Sequence, residues 1–98
     1  MVRWTRSARI APGKDLQAIQ WAKEMAEFLR KKHGSQVSVY MDCFGEVGTI
    51  RWFEDFENLA AVEKLMQGVM ADQEFRQRES QVATLFQNGA FDTVMATL

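Results

Sequence analysis

Apolar and polar side chains alternate along the beginning of the chain. One parity carries Val2, Trp4, Arg6, Ala8 and Ile10, and the other carries Arg3, Thr5, Ser7 and Arg9. A period of two is typical of a β-strand whose two faces meet different surroundings. We therefore predict a first strand over residues 2–10, which Pro12-Gly13 stops.

The pattern then changes to helical spacing between Leu16 and Lys32. The apolar residues at this spacing are Ile19, Ala22, Met25, Ala26, Phe28 and Leu29. Asp15 suits the first turn of a helix, cations fill the last turn, and Gly34 suits the left-handed residue that ends it. The segment predicts one long helix with a single buried face.

Two further alternating segments, 37–44 and 49–54, flank a glycine-bounded turn and predict a β-hairpin. If Gly45 to Gly48 form the loop, Phe44 opposes Thr49 and Asp42 opposes Arg51. One face then carries Val37, Val39, Met41, Cys43, Ile50 and Trp52. The other carries Tyr40, Asp42, Phe44, Arg51 and Phe53. The apolar face should meet the helices.

Helical spacing returns at residues 59–70, with Asn58 or Asp55 as candidate caps, and Asp72 predicts the start of a further helical stretch. Gly68 and the junction at 70–72 predict a bend or break. Asn88-Gly89 ends that stretch, and residues 92–98 alternate weakly as a short final strand.

The order βαββαβ predicts an α+β domain of the ferredoxin-like type, a four-stranded antiparallel sheet with helices on one face. The chain has 98 residues, 47% hydrophobic and 26% charged, which is typical of one globular domain over residues 1–98. The net charge of -1 gives no reason to expect nucleic acid as a partner. The single cysteine, the absence of an apolar leader and the absence of a membrane-length apolar run predict a cytoplasmic protein that does not contact membrane.

The mixed face of the sheet predicts self-association. Tyr40, Phe44 and Phe53 would form an aromatic patch in water, and such patches mark association sites. A second copy related by a two-fold axis could cover the patch with the same surface. We therefore expect a homodimer in which two sheets enclose a barrel-like interior.

Several segments resemble a known family: Ala11-Pro12-Gly13-Lys14, Phe44-Gly45-Glu46-Val47-Gly48, Thr49-Ile50-Arg51-Trp52-Phe53 and Asp72-Gln73-Glu74-Phe75. Over nearly the whole chain the sequence resembles the dimeric α/β-barrel superfamily, nearest to its NIPSNAP-like branch. The resemblance implies that fold. Superfamily members include cofactor-independent monooxygenases, haem-handling enzymes, isomerases, lyases and proteins of unknown role, so it does not select a function.

The candidate chemistry lies on the mixed face. Asp42 and Arg51 could hold a carboxylate or an enolate, with Tyr40 as a proton donor and Arg6 or Arg9 nearby. Alternatively, they could be a cross-strand ion pair that fixes register or seals the dimer rim. The predicted lining of a ligand pocket is Tyr40, Asp42, Phe44, Arg51 and Phe53. We assign no catalytic residue.

The remaining reactive side chains predict no cofactor and no metal. Cys43 has the parity of the core and is interpreted as packing. His33 is the single histidine and is placed at a helix end, so neither a haem ligand nor a metal site is expected. Trp21 and Trp52 are also interpreted as packing residues.

Three hypotheses about function follow. The first is a homodimeric domain that binds a small, partly aromatic molecule in the barrel interior. The second is an enzyme resembling the cofactor-independent monooxygenases, acting on an aromatic substrate. The third is a structural subunit that contributes only a dimerisation surface.

Overall fold

The computed structural model describes residues 1–87 and 89–98 and contains four strands and four helices in that range. The strands are β1 (Val2–Arg9), β2 (Ser38–Met41), β3 (Thr49–Phe56) and β4 (Phe91–Ala96). The helices are α1 (Asp15–His33), α2 (Leu59–Met70), α3 (Gln73–Glu79) and α4 (Val82–Leu85). The predicted order is confirmed, with the second helical region divided into three.

The strands form one antiparallel sheet in the order β2-β3-β1-β4. Central strand β1 pairs with β3 from Val2 opposite Phe56 to Arg9 opposite Thr49. On its other side β1 pairs with β4, with Arg6 opposite Asp92. The ferredoxin-like arrangement predicted from the sequence is therefore confirmed.

The core lies between this sheet and the helices. Ala18 and Ala22 of α1 are 0% exposed, and their small side chains let the helix lie close to the sheet. Ile50 and Trp52 face them from β3, as their parity predicts. The buried members of this cluster are Ala8, Ile10, Ala18, Ala22, Ala26, Val37, Ile50, Trp52, Leu85 and Phe86.

Both ends of α1 agree with the sequence analysis. Asp15 stands in the first turn, and three lysine or arginine residues and His33 occupy the last. Gly34 ends the helix in the left-handed conformation, at φ 67°. Ser35 then donates its backbone N–H to the carbonyl oxygen of Leu29 at 3.2 Å.

The predicted register of the β2–β3 hairpin is wrong by two residues. Tyr40 lies opposite Arg51, whereas the sequence analysis placed it opposite Phe53. Strand β2 ends at Met41, so residues 42–44 belong to a longer loop that Asp42 closes by donating its N–H to Thr49 O at 3.0 Å. Because a shift of two preserves parity, each paired residue still faces the predicted side.

The longer loop also corrects two side-chain predictions. Cys43 is exposed, not part of the core, because parity ceases to place side chains once the strand has ended. Phe44 is 91% exposed in the same loop, outside the sheet.

The helix caps are placed as predicted in the second half of the chain. Asn58 caps α2 by accepting a hydrogen bond from Ala61 N at 2.9 Å, and Asp72 caps α3. Helix α2 ends at Met70, so the helical region is broken at the predicted junction of residues 70–72. Gly68 lies within α2 and does not interrupt it. Asn88, where a helix end was predicted, lies outside the described residues.

No helix in the described ranges is both long and apolar enough to cross a membrane.

Candidate functional site

The sheet face without helices brings together four of the five predicted pocket residues. Tyr40 stacks on Phe53, with 5.2 Å between ring centroids. Arg51 donates to both carboxylate oxygens of Asp42, from Nε at 2.8 Å and from Nη2 at 2.9 Å. Phe44 is not among them, because it lies in the hairpin loop. We call this surface the open face.

Two arginines of the open face are paired with carboxylates of the same chain. Hydrogen bonds from Arg51 hold the pKa of Asp42 below its ordinary value. Arg3 forms a second bidentate pair with Asp55, at 2.8 and 3.0 Å, and its guanidinium carbon lies 4.8 Å from the centroid of Phe53. The Asp42–Arg51 ion pair considered in the sequence analysis therefore exists, but it joins the hairpin loop to β3 and not two strands. A ligand-binding role for these residues stays a prediction.

Two apolar cavities lie on the opposite side of the sheet, beneath the helices. One cavity of about 100 Å³ and another of about 70 Å³ lie between the sheet and helices α1 to α3. Both are lined by Trp4, Arg6, Leu29, Val37 and Phe75. We call the pair of cavities the cleft. Small-molecule sites share this apolar lining with a few polar groups, and they usually have larger volumes of about 300 to 1,000 Å³.

Arg6 provides the most distinctive chemistry of the cleft. It lies on the helix-facing side of β1 and donates to Asp92 from Nε at 2.7 Å and from Nη2 at 2.8 Å. Trp4 donates its indole N–H to the same carboxylate at 3.2 Å. Desolvation acts against the charge on Asp92, but the hydrogen bonds from Arg6 and Trp4 lower the pKa of this carboxyl below its ordinary value.

Two further carboxylates line the cleft. Glu79 borders the larger cavity, and its negative charge contributes, after the hydrogen bond to Asp92, to a raised pKa of Arg6. Glu54 borders the smaller cavity and accepts a hydrogen bond from Ser35 Oγ at 2.6 Å. Each cavity thus has one carboxylate besides the Arg6–Asp92 pair.

Aromatic side chains form much of the wall of the larger cavity. Trp21 and Trp52 meet edge to face at 6.1 Å between centroids, and Phe86 lies 5.6 Å from Trp21. Their predicted role in packing is confirmed, and they line the cavity as well. Trp21 is fixed further by donating its indole N–H to Arg78 O at 2.9 Å.

Phe75 of α3 lies at the boundary of both cavities, and the start of α3 is fixed by Asp72. The carboxylate accepts N–H groups of Glu74 and Phe75 and lies 2.7 Å from His33 Nε2 and 3.1 Å from Lys32 Nζ. Burial opposes its ionisation, but these hydrogen bonds lower the pKa of Asp72 to about 2. His33 therefore stands at the end of α1, as predicted, and helps to hold a wall of the cleft.

Asp92 was missed as a site residue in the sequence analysis, which considered Arg6 only as a neighbour of Asp42 and Arg51. The available signal was a lone arginine on the apolar parity of β1, where a buried charge requires a partner. The partner is 86 residues away and belongs to a strand with a weak pattern, so no local spacing connects them. Arg9 of the same strand lies on the other, open side.

The described residues contain no group of three or more His, Cys, Asp or Glu side chains placed to hold a metal ion.

Comparison with solved structures places the fold among known proteins. The chain resembles an uncharacterised NIPSNAP domain protein from Burkholderia xenovorans, with a TM-score of 0.84, 9% identity and coverage of 100% of this chain and 95% of that one. It also resembles a NIPSNAP family protein of unknown function from Agrobacterium tumefaciens, with a TM-score of 0.81, 18% identity and coverage of 97% and 86%.

A crystal structure of an antibiotic biosynthesis monooxygenase is similar as well, with a TM-score of 0.75, 14% identity and coverage of 100% of this chain and 99% of that one. No protein family model and no curated sequence matches the chain. At these identities the likeness shows the fold, and the resemblance expected from the sequence is confirmed at that level.

Proposed function

We propose that this chain forms a homodimer through its open face and binds a small, partly aromatic molecule in the cleft beneath its helices. The observation that carries the binding part is the Arg6–Asp92 pair, which Trp4 joins at the edge of an apolar, aromatic cavity. A few fixed polar groups in an apolar hollow give a ligand both orientation and burial.

The composition of the open face supports the dimer. Tyr40 is 62% exposed, and Phe91 and Met95 at the other edge are 72% and 54% exposed. Arg3 and Arg51 on this face are already paired with Asp55 and Asp42. A second copy that covers the face would therefore not bury either arginine without a counter-charge. Every residue of β4 is exposed, which leaves this edge strand uncovered on both faces.

Two neighbouring substitutions on β1 distinguish the cleft from the barrel interior as the ligand site. Ala8 is 7% exposed and lines the larger cavity, so Ala8→Leu fills part of it. Ser7 has the opposite parity and pairs with Arg51 and Phe91, so Ser7→Leu adds the same side chain to the open face.

The assay is thermal shift against single-ring quinols, single-ring phenols and short-chain fatty acids, for the parent chain and both variants. We expect at least one class to stabilise the parent and Ser7→Leu, and the shift to be lost in Ala8→Leu. Loss in Ser7→Leu alone would place the ligand between the sheets, as first predicted for Tyr40, Asp42, Arg51 and Phe53. No stabilisation of the parent by any class would favour the structural subunit. Near-ultraviolet circular dichroism checks that both variants fold.

The dimer has its own test. Sedimentation velocity at micromolar concentration should show a two-chain species, and Tyr40→Lys, which puts a charge on the β2 edge of the open face, should shift it towards the monomer. A parent chain that sediments as a monomer would refute the pairing.

A monooxygenase is the second candidate. It is favoured by the likeness to the antibiotic biosynthesis monooxygenase along the whole chain, together with an aromatic cavity that could orient an electron-rich ring. Oxygen uptake in the presence of a quinol that binds would support it. Oxygen uptake that is no faster than without the protein would refute the monooxygenase and leave the binding function as the remaining candidate.

A further inference from the structure

The indole N–H of Trp52 is a buried donor without a partner. The other two tryptophans donate to protein oxygens, Trp4 to Asp92 and Trp21 to Arg78 O. Trp52 is 6% exposed, and within the described part of the chain its buried Nε1 has no acceptor. A buried donor without a hydrogen bond is unfavourable, so native structures rarely leave one unpaired. Because Trp52 lines the larger cavity, a ligand there could supply the acceptor.

A second donor lies beside the first. Arg6 is directly opposite Trp52 in the pairing of β1 with β3, and both side chains line the larger cavity. Side chains at such positions have Cβ atoms about 4.5 to 5.5 Å apart. Arg6 binds Asp92 through Nε and Nη2, and among the described residues its Nη1 has no acceptor. Two neighbouring residues thus each offer an N–H group at the wall of the cavity.

The surrounding charges favour a neutral acceptor over an anion. The bidentate pair with Asp92 compensates most of the charge of Arg6. Glu79 lines the same cavity and would repel an anion. A carbonyl oxygen has two lone pairs and no proton, so it can accept from both donors and adds no donor that needs a partner.

We propose that the larger cavity binds a small neutral carbonyl compound, whose oxygen accepts hydrogen bonds from Trp52 Nε1 and Arg6 Nη1 while its apolar body lies against the aromatic walls. This inference rests on the proposed binding function and specifies its ligand class. The cavity holds about 100 Å³ and is partly open, and an enclosed apolar protein cavity of roughly 150 Å³ binds benzene, so the ligand is limited to a single ring or a short chain.

The test uses three single-ring ligands of nearly the same shape. They are acetophenone, α-methylstyrene, in which CH₂ replaces the carbonyl oxygen, and benzoate, which carries a charge. Binding at pH 7 is followed through the ¹H–¹⁵N signals of the tryptophan indoles. We expect acetophenone to shift the indole proton of Trp52 downfield, as a new hydrogen bond does, and to bind about tenfold more tightly than benzoate. Equal or tighter binding of benzoate would refute the neutral ligand class.

Removal of the donor tests the hydrogen bond itself. Trp52→Phe keeps an aromatic ring and removes the N–H, so the ratio of acetophenone affinity to α-methylstyrene affinity should fall about tenfold. The alkene corrects for the altered shape of the cavity, since it occupies the same space without an acceptor. Trp21→Phe is the matched control, because Trp21 lines the same cavity but already donates to Arg78 O at 2.9 Å. An unchanged ratio in Trp52→Phe, or an equal fall in Trp21→Phe, would contradict the assignment.

Arg6→Met is a second variant that keeps the test valid if Trp52→Phe does not fold. It removes the other donor from a partly exposed position and should lower the same ratio.

Failure of both acetophenone and α-methylstyrene to bind would overturn the proposed binding function itself. Binding of both with a ratio that depends on neither Trp52 nor Arg6 would overturn only the carbonyl inference. The two failures are thus distinguishable.

Discussion

Phe75 offers a quantitative test that the cleft exists as a set of poorly filled cavities. The side chain is 6% exposed and belongs to a small cluster with Met25 and Phe28. Phe→Ala substitutions in packed cores cost about 3 to 5 kcal/mol. Because Phe75 borders both cavities, part of its surface lacks packing partners, and we expect the low end, about 3 kcal/mol.

Ile50→Ala is the reference, since Ile50 is 2% exposed and lies in the main core. It should cost at least as much as Phe75→Ala although it removes a smaller side chain. The assay is urea unfolding at one fixed protein concentration, because association would make stability depend on concentration. A loss of about 5 kcal/mol for Phe75→Ala, or one clearly above that of Ile50→Ala, would refute the reasoning.

Three further sets of substitutions test the framework of the site. The pKa of Asp72 is lowered to about 2 from an ordinary 3.8, so its charge stabilises the fold above about pH 4 and this contribution is lost towards pH 2. Asp72→Asn should therefore lower the urea midpoint at pH 7. The difference from the parent chain should disappear as the pH falls from about 4 to about 2. Gly34→Ala should destabilise the fold by about 1 kcal/mol, because the residue has a positive φ of 67°. Gly68→Ala should stabilise it slightly, because Gly68 lies in the interior of α2. Urea midpoints that move equally in the two variants would contradict this prediction. Arg6→Met should lower the free energy of unfolding by about 1 kcal/mol, after allowance for the partial exposure of the ion pair. Adding Asp92→Leu should recover part of this loss, because the carboxylate is then no longer left without its partner. A urea midpoint that falls further in the double variant would show that Asp92 does not depend on Arg6.

The two faces of the sheet could be predicted because strand parity is local. Trp52 and Arg51 are neighbours in sequence, and their alternation alone assigns them to opposite faces. The hairpin register could not be predicted, because the sequence does not show how many residues before Gly45 belong to the loop and not to the strand. Strand β2 ends at Met41, three residues before the predicted end at residue 44, and Cys43 becomes exposed as a result.

The cleft was beyond prediction for a different reason. Its central pair joins the first strand to the last, and its depth depends on how far α3 stands from the sheet. The position of α3 depends in turn on Asp72, whose role as a cap was evident from the sequence but whose contact with His33 was not. Charge pairs between distant strands require the completed topology.

The central claim is that ligand binds beneath the helices and not on the open face. The most direct measurement is a titration of ¹⁵N-labelled protein with hydroquinone, a single-ring quinol, followed by the indole N–H signals of Trp4, Trp21 and Trp52 and the backbone signals of Tyr40 and Arg51. We predict saturable shifts of the three indole signals with the two backbone signals unchanged. Shifts confined to Tyr40 and Arg51 would contradict the account.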